Sequence, residues 1–446
     1  MKKALLLLIP ILLLFGSGET WTRLYPTGSG PSGRWGTASV YDATADRFLI
    51  FGGAIWGAAY NHVYALDGTV SGNGTWTLLS PTGSGPSARG FCAPVYDEPR
   101  QRLIVFGGYN MGGSCYNQVY FLDSICNTTP HWSYVSVGGS APMIRQSAAA
   151  AYDPIQERVI YFSGWCGYQW RNDVYVLENL GTSPAWRRLY PTGGGPGGRW
   201  GATCSYDHVN DRLYVYGGMN TSQSYPSNTW VLENLQTGDG NWVNLNPGGQ
   251  VPPGRMWSVS AFESGGDRML MFGGGYFQSS CFNDLRSLDP LSGTPTWTLL
   301  SPTGTAPSSR LGAAWAMDEV RHRLILFGGN YYSTNYNDVY VLTWDVGVEE
   351  NCVQVPQMYT INSRPNPFNR NITVHFDGGQ GFVSSIDVYN VQGQFIKNLS
   401  GSGLRLPGNI NWNGTDEQGF EVPAGTYFVM MEINRKITLE QIIKIR

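Results

Sequence analysis

The chain is built around the stretch PTGSGPSARGFCAPVYDEPRQRLIVFGG, residues Pro81 to Gly108. It contains a Gly/Pro turn, an apolar strand, a polar turn and a second apolar strand that ends in a pair of glycines. The same text returns five more times along the chain, at an almost constant spacing. The six pairs are Gly52-Gly53, Gly107-Gly108, Ser163-Gly164, Gly217-Gly218, Gly273-Gly274 and Gly328-Gly329. A repeat of this size made of short strands predicts a closed or stacked array of sheets.

Four further positions keep fixed offsets from the pair in every copy. An arginine stands eighteen residues before it: Arg34, Arg89, Arg145, Arg199, Arg255 and Arg310. A second arginine stands five residues before it: Arg47, Arg102, Arg158, Arg212, Arg268 and Arg323. An aromatic-acidic dipeptide begins eleven residues before it, with Met317-Asp318 as the non-aromatic copy: Tyr41-Asp42, Tyr96-Asp97, Tyr152-Asp153, Tyr206-Asp207, Phe262-Glu263 and Met317-Asp318. A tryptophan opens each unit: Trp21, Trp76, Trp132, Trp186, Trp242 and Trp297.

This pattern resembles the kelch repeat, whose marks are the glycine pair, the Tyr-Asp dipeptide, a downstream Asn-Asp-Val-Tyr and a spaced tryptophan. The resemblance covers roughly residues 21–345 in six copies. It implies a six-bladed β-propeller with a four-stranded antiparallel sheet in each blade. The last unit stops at residue 345 without a closing strand, and the first strand, Trp21–Leu24, has no preceding partner. We expect these two ends to pair and to close the ring, which removes both sheet edges.

Composition and the N-terminus indicate an exported protein. The net charge of −3 gives no electrostatic reason to expect a nucleic acid as partner. Residues 1–18 predict a signal peptide, because Lys2 and Lys3 precede an apolar run from Ala4 to Phe15 that is too short for a membrane span. We therefore expect the mature chain to start near Glu19, to have no membrane span and to be able to form disulfides. The seven cysteines lack metal-site spacing, and their odd number leaves at least one unpaired or paired between chains.

We assign the propeller to residues 19–345, and the repeated sequence pattern ends there. Residues 346–363 are predicted to be a linker, and residues 364–446 alternate like a small all-β, Ig-like sandwich. This module resembles the C-terminal sorting domains of type IX secretion cargo and also the Ig-like domain of flagellar hook-capping proteins. The matching residues are Asn366, Pro367, Phe368, Asn369, Tyr389, Gly393, Trp412, Gly414, Asp416, Gly419, Gly425 and Tyr427. Its terminal position favours the sorting domain over the hook-capping domain. A sorting domain implies that secretion machinery is a partner and that the source is a bacterium with an outer membrane. The alternative is a generic Ig-like spacer without a sorting role.

Each unit is predicted to contain strands a, b and c and a Trp-led strand, here named d. Antiparallel order places the loops before strand a and after the glycine pair on one face, named the upper face. The arginine before strand a (Arg34 and its equivalents) is either a strut between blades or part of a cationic collar for an acidic ligand, and its repetition in every blade favours the strut. The arginine of strand b and the acid of the Tyr-Asp dipeptide flank one hairpin, which predicts a structural ion pair.

The loops after the glycine pair are where the repeat breaks down. They read AIWGAAY, YNMGGSCY, WCGYQWR, MNTSQSYP, GYFQSSCF and NYYSTNY, and Arg171 is their only charged residue. They contain no carboxylate and no histidine, so this face lacks the groups for hydrolysis of glycosides or peptides. Aromatic, amide and hydroxyl groups instead suit a sugar or a protein partner. The predicted ligand contacts are Trp56, Tyr109, Trp165, Trp170, Tyr276 and Tyr332.

These features predict an exported, non-catalytic binding protein, secreted or held on the outer cell surface, whose upper face binds a glycan or a surface protein. We expect no metal and no cofactor, because the five histidines (His62, His131, His208, His322 and His375) have no ligand spacing. Two alternatives stay open. One is an exported enzyme of the oxidase or sugar-modifying kind, since a copper oxidase of the galactose-oxidase type also uses a kelch propeller. The other is a purely structural surface protein.

Overall fold

The computed structural model describes residues 18–264, 267–290, 294–344, 360–377, 385–391, 393–399, 408–433 and 436–445. The chain divides into two compact units, residues 1–347 and 348–446. Both are made of β-strands, and the described part of the chain adds one short 3-10 turn, Glu98–Arg100. The predicted signal peptide up to residue 17 and the predicted linker up to residue 359 lie outside the described residues.

The first unit is a six-bladed propeller, and each blade is a sheet in the order a, b, c, d. The blades are numbered 1 to 6 by their strands a, which are Ala38–Asp42, Ala93–Asp97, Ala149–Asp153, Thr203–Asp207, Val259–Glu263 and Ala314–Asp318. Strands b are Arg47–Phe51, Arg102–Phe106, Arg158–Phe162, Arg212–Tyr216, Arg268–Phe272 and Arg323–Phe327. Strands c are Val63–Asp67, Val119–Asp123, Val174–Glu178, Thr229–Glu233, Leu285–Asp289 and Val339–Trp344. Strands d are Thr75–Leu79, His131–Val135, Ala185–Leu189, Asn241–Asn244, Thr296–Leu300 and, for blade 6, Glu19–Leu24. Each strand a contacts strand a of both neighbouring blades, so strands a surround the axis.

The N-terminal strand closes the ring, as the sequence predicts. Glu19–Leu24 pairs antiparallel with Val339–Trp344, from Glu19 opposite Trp344 to Leu24 opposite Val339. Five blades carry one more short parallel strand outside strand d: Thr27–Gly28, Thr82–Gly83, Gly138–Gly139, Gly248–Gly249 and Thr303–Gly304. Blade 6 is therefore assembled from both ends of the unit, and neither end leaves an unpaired edge.

The repeated tryptophans hold neighbouring blades together. Each lies in strand d and packs against the aromatic residue that ends strand b of the preceding blade, with ring centroids 5.0 to 5.4 Å apart. The pairs are Trp76 with Phe327, Trp132 with Phe51, Trp186 with Phe106, Trp242 with Phe162, Trp297 with Tyr216, and Trp21 with Phe272. Aromatic pairs of this kind contribute about 0.5–1.5 kcal/mol beyond area burial. This explains why every unit begins with the same residue type.

The glycine pair is a second joint between blades. The N–H of its second glycine donates to the carbonyl of the arginine that opens the next blade, for example Gly53 to Arg89 at 3.1 Å and Gly218 to Arg255 at 2.8 Å. At Gly217 (φ +68°) an added Cβ would lie 2.2 Å from the Arg255 carbonyl oxygen. A side chain at this position would therefore push two blades apart.

Three loops after the glycine pair form small hairpins on the upper face. Their strands are Ala54–Ile55 with Ala58–Ala59, Trp165–Cys166 with Gln169–Trp170, and Asn330–Tyr331 with Thr334–Asn335. They belong to blades 1, 3 and 6. Single bridges also join the residue after each glycine pair to the residue after the arginine that precedes strand a, such as Trp35 with Ala54. The upper loops are thus held against the axis.

The second unit is a sandwich of two sheets. One contains Thr360–Arg364, Ile372–Asp377 and Gly408–Trp412, and the other contains Phe395–Asn398, Ser385–Asn390, Gly425–Ile433 and Lys436–Lys444. The strand Thr360–Arg364 begins inside the segment that the sequence assigns to the linker. Phe368 and Trp412 are buried in the shared core, and the Asn366 side chain bonds to the backbone of the last strand at Gln441 and Ile443. The Asn-Pro-Phe-Asn segment therefore anchors the start of the sandwich to its end.

Candidate binding site on the upper face

The arginines before strand a do not form a collar for a ligand, and their side chains brace their own blade, so the predicted side-chain strut between blades is wrong. All six are buried, at 1 to 5% exposure. Each donates from Nη1 to the carbonyl of the first residue of its own glycine pair, at 2.8 to 3.2 Å. Arg34, for example, also lies 4.0 Å from the Tyr60 ring centroid. The side chains stay within their own blade, and it is their backbone carbonyls that join neighbouring blades.

The arginines of strand b lie towards the opposite face, and five of them also bond to the next blade, for example Arg102 to the Leu180 carbonyl. Four pair with the acid of their own Tyr-Asp dipeptide or its equivalent, as predicted: Arg102 with Asp97, Arg158 with Asp153, Arg268 with Glu263, and Arg323 with Asp318. The prediction is wrong in blades 1 and 4, where Arg47 pairs with Asp67 and Arg212 with Glu233, both on strand c. There Asp42 and Asp207 accept backbone N–H groups of the a–b turn instead. On both faces, the repeated arginines take part in contacts within the propeller.

An aromatic cluster occupies the centre of the upper face. Trp35 and Trp200 follow the arginine by one residue, and Phe91 and Trp257 follow it by two. Trp257 touches the other three, with ring centroids 5.0 to 5.2 Å apart. Its Nε1 donates to Ser147 Oγ at 3.0 Å. We did not predict these four residues as part of the site, because they stand beside a repeated structural arginine and look like the start of strand a.

The backbone beneath this cluster forms a partial ring around the axis. The residue two after each arginine has a left-handed backbone, with φ between +50° and +69°, in all six blades. Five N–H to carbonyl bonds link these residues from blade to blade, for example Phe91 to Gly36 at 2.7 Å and Gly312 to Trp257 at 3.0 Å. Three of the six are not glycine (Phe91, Ser147 and Trp257), and such residues pay about 1 kcal/mol each for this conformation. The ring therefore holds the backbone of Phe91 and Trp257 in the left-handed conformation and places both aromatic residues at the centre of the face.

A cavity of about 310 Å³ opens beside the cluster, between the upper loops of blades 5, 6 and 1. Its lining residues are Trp35, Trp56, Tyr276, Phe277, Gln278, Ser279, Cys281, Leu311, Asn330, Tyr332 and Ser333. Three of the six predicted contacts, Trp56, Tyr276 and Tyr332, meet there. Trp56 and Tyr332 are 44% and 54% exposed, and Trp56 Nε1 donates to the Tyr332 carbonyl at 3.2 Å. This bond joins the hairpin tips of blades 1 and 6 over one side of the cavity.

The other predicted contacts lie elsewhere on the face. Trp165 stacks on Trp200 at 4.8 Å and contacts Trp170 edge-on at 6.3 Å. A disulfide between Cys115 and Cys166 joins the upper loops of blades 2 and 3 beside this pair. Tyr109 lies in the same loop as Cys115, and its backbone bridges to Gly90 and Cys115. The structure therefore places three of the six predicted residues at the cavity and the other three in the upper loops of blades 2 and 3.

Several buried donors on this face have no hydrogen-bond acceptor among the described residues. They are the indole Nε1 groups of Trp35, Trp165, Trp170 and Trp200. A buried donor without a partner costs about 1–3 kcal/mol, so native proteins rarely keep several close together. Trp35 is the one of the four that lines the cavity.

The axial channel below the cluster has a volume of about 400 Å³ and is lined by strands a. Cys92 and Cys204 lie on its wall, and burial raises the pKa of each thiol to about 12. These thiols therefore stay protonated and unreactive at neutral pH. Within the described residues, no group of three His, Cys, Asp or Glu side chains could hold a metal ion. No helix in the same residues is long and apolar enough to span a membrane.

Several known proteins are similar to part of this chain. Adagio-like protein 3 of Oryza sativa subsp. japonica is 26% identical over 290 residues, which is 62% of this chain and 44% of that protein. Adagio protein 3 of Arabidopsis thaliana is 30% identical over 209 residues, 47% of this chain and 31% of that protein. The dynein alpha chain of the flagellar outer arm of Chlamydomonas reinhardtii is 26% identical over 322 residues, 68% of this chain and 7% of that protein. The chain spans less than half the length of these relatives.

Two family profiles match the chain. The secretion system C-terminal sorting domain matches residues 364–445, which confirms the sorting domain and indicates that the secretion machinery exports this chain. The KLHDC2/KLHL20/DRC7 Kelch-repeats domain matches residues 12–218, 171–342 and 208–384. Together these matches cover most of the chain, and they agree with six blades joined by tryptophan pairs and glycine pairs. The chain belongs to the family of kelch-repeat propeller proteins, and it carries a C-terminal sorting domain for secretion.

Proposed function

We propose that this chain is an exported, non-catalytic binding protein whose upper propeller face recognises a glycan or a surface protein outside the cell. One observation carries the proposal: the upper face has an uncharged cavity with aromatic walls, while the arginines around it are all engaged inside the blades. The cavity has the size of a small-molecule site, since such sites begin at about 300 Å³. Its polar groups are few and lie among aromatic rings, which is the composition expected of a recognition site.

The sorting domain supports a place of action outside the cytoplasm. We propose that the mature protein is secreted, or attached to the outer surface of an outer-membrane-bearing bacterium. The disulfide between Cys115 and Cys166 fits this location, because structural disulfides form and persist in oxidising compartments. The pair lies on the upper face, so oxidation during export would fix the loops next to the proposed binding surface.

The test is a binding screen of the purified mature chain against a glycan array and against extracted cell-surface proteins. The Trp56→Ala/Tyr332→Ala double variant removes two exposed rings from the cavity and should reduce binding at least tenfold. A matched control is Tyr134→Ala/Tyr190→Ala, which removes two exposed rings at strand d of blade 2 and beyond strand d of blade 3. Binding that both double variants leave unchanged would contradict the assignment of the upper face. Loss in both variants would point to a nonspecific aromatic contact.

A further inference from the structure

Several residues of the upper face recur every three blades, in addition to those that recur in all six. Trp35 in blade 1 corresponds to Trp200 in blade 4, and Phe91 in blade 2 corresponds to Trp257 in blade 5. Cys115 of blade 2 and Cys281 of blade 5 match in the same way, since both stand eight residues after the first glycine of their pairs. Each has its Sγ 3.8 Å from the backbone oxygen of the residue after the next blade's pair, Trp165 and Asn330 respectively. The two halves of the upper face therefore share one framework.

The two halves of the upper face differ in the side chains that blades 3 and 6 supply. Blade 3 supplies Trp165, Cys166 and Trp170, and the equivalent positions in blade 6 are Asn330, Tyr331 and Asn335. In the first half the indoles pack and the disulfide ties the loops together. In the second half the Asn330 amide donates to Asn335 Oδ1 at 3.0 Å and to the backbone of its own hairpin. Amides are much smaller than indoles, and the cavity lies beside Asn330, one of these two amides.

We propose that this cavity between blades 5, 6 and 1 binds one neutral sugar ring of a glycan. The inference rests on the proposed upper-face binding function and narrows it to one ligand class and one site. The rings of Trp56, Phe277 and Tyr332 offer apolar surfaces for the C–H face of a pyranose. Gln278, Ser279 and Ser333 place amide and hydroxyl groups at the same walls, where they can bond to sugar hydroxyls.

Charge and hydrogen bonding argue against other ligands. The lining contains no charged residue, so an anionic or cationic ligand would lose its hydration without gaining an opposite charge. A purely apolar ligand would cover the amide and hydroxyl groups of Gln278, Ser279 and Ser333 without bonding to them. A sugar presents hydroxyls to these groups while its ring carbons cover the neighbouring aromatic faces. A neutral, hydroxylated ring satisfies both requirements.

Cys281 provides a reporter inside the cavity, because it lines the wall and has no disulfide partner among the described residues. The full mature chain is labelled with a maleimide, and modification of the Cys281 peptide is followed by mass spectrometry. Burial raises the pKa of this thiol to about 11, so labelling is run at about pH 9 to obtain a measurable rate. The probes are D-glucose, D-galactose, D-mannose and N-acetyl-D-glucosamine at millimolar concentration, with D-glucuronate as the charged comparison. A bound sugar at ten times its Kd should slow labelling about tenfold, because only the free protein reacts.

Two variants locate the effect. Ser333→Trp places an indole at an exposed position of the cavity wall and should abolish protection by the sugar. Tyr168→Ala changes the equivalent position of blade 3, where the side chain is 87% exposed, and should leave protection intact. Protection by a neutral sugar that only Ser333→Trp removes supports the proposal.

Two results would overturn the inference. Sugar binding that persists in Ser333→Trp would place the sugar elsewhere. Absence of protection by all four neutral sugars would exclude this ligand class. If a surface protein nevertheless binds and Trp56→Ala/Tyr332→Ala abolishes that binding, the upper-face function stands while the sugar site fails.

Discussion

Tyr331→Cys should create a second disulfide in the propeller, with Cys281 as its partner. The native bridge joins Cys115 to Cys166 with a Cα–Cα distance of 6.2 Å and a sequence separation of 51 residues. Positions 281 and 331 occupy the same places in blades 5 and 6, and their separation in the chain is nearly the same. The Cys281 thiol lies at the same 3.8 Å from the neighbouring backbone oxygen as its counterpart in blade 2. The framework for the bridge is therefore already present.

The size of the effect follows from loop closure in the unfolded chain. A bridge that closes a loop of about 50 residues lowers the unfolded-state entropy enough to raise the free energy of unfolding by about 4 kcal/mol at 25 °C. For a propeller of roughly 330 residues, with an unfolding entropy of about 2.1 cal/mol/K per residue, this corresponds to an increase of about 6 °C in Tm. Tyr331 is exposed, so loss of its ring should cost little in the folded state.

The assay compares oxidised and reduced protein by thermal unfolding, after mass spectrometry has identified the new bridge. Tyr331→Cys combined with Cys281→Ser is the matched control, since it has the same surface change and cannot form the bond. The oxidised variant should melt about 6 °C above this control, and the difference should disappear on reduction of both samples. Failure of the bridge to form under mild oxidation would refute the claimed equivalence of blades 2–3 and 5–6. A bridge that forms without raising Tm would refute the entropy argument.

Three further predictions concern the struts and joints of the blades. Trp132→Ala removes a buried interblade ring and should lower the free energy of unfolding by about 3–5 kcal/mol in urea titrations. Asn228→Asp should raise it by about 1 kcal/mol, because Arg199, whose pKa burial lowers to about 10, then gains the carboxylate that its equivalents in blades 3, 5 and 6 possess. Asp284→Asn should reduce the loss of stability that the protein shows below about pH 4. Burial alone would raise the pKa of Asp284, but hydrogen bonds from Arg255 hold this pKa below its ordinary value. The ionised Asp284 therefore stabilises the fold above its ordinary pKa, and this stabilisation is lost as the pH falls through the folded-state pKa. A Trp132 variant as stable as wild type, a neutral Asn228→Asp, or an unchanged acid slope would contradict these assignments.

The architecture was predictable because its parts recur at fixed offsets. The glycine pair recurs because a larger side chain there would meet the next blade, and the one exception, Ser163, bonds through its hydroxyl to the Arg199 carbonyl. The tryptophan recurs because it fills the same interblade gap six times. Ring closure followed from a unit that lacks its last strand and a first strand that lacks a partner. The ion pairs were predicted correctly in four blades and wrongly at Arg47 and Arg212. There a carboxylate on strand c competes for the guanidinium, and the hairpin spacing alone could not reveal that competitor.

The candidate site was predictable only in part, because its residues come from two kinds of position. The loops after the glycine pair vary visibly, and they pointed to Trp56, Tyr276 and Tyr332. Trp35 and Trp257 were not predicted because they stand one and two residues after a strictly repeated arginine, where a structural role is expected. Their signal was nevertheless in the sequence: Trp257 stands at an offset where four of the six blades have glycine or serine, and Trp35 stands at an offset whose residue type varies from blade to blade. Variation next to an invariant position is as informative as variation in a loop.

Comparing blades 1–3 with blades 4–6, rather than all six blades with one another, singles out the cavity. Departures from the six-blade repeat identify the whole upper face, whereas departures from the three-blade period identify one side of it. Blade 3 and blade 6 keep the hairpin and its place beside a cysteine, yet two indoles in one become two amides in the other. Packing cost cannot explain the amides, since filling an existing gap with apolar atoms stabilises a protein. An open, uncharged cavity beside Asn330, where the equivalent position of blade 3 carries a packed indole, therefore fits the proposed ligand site.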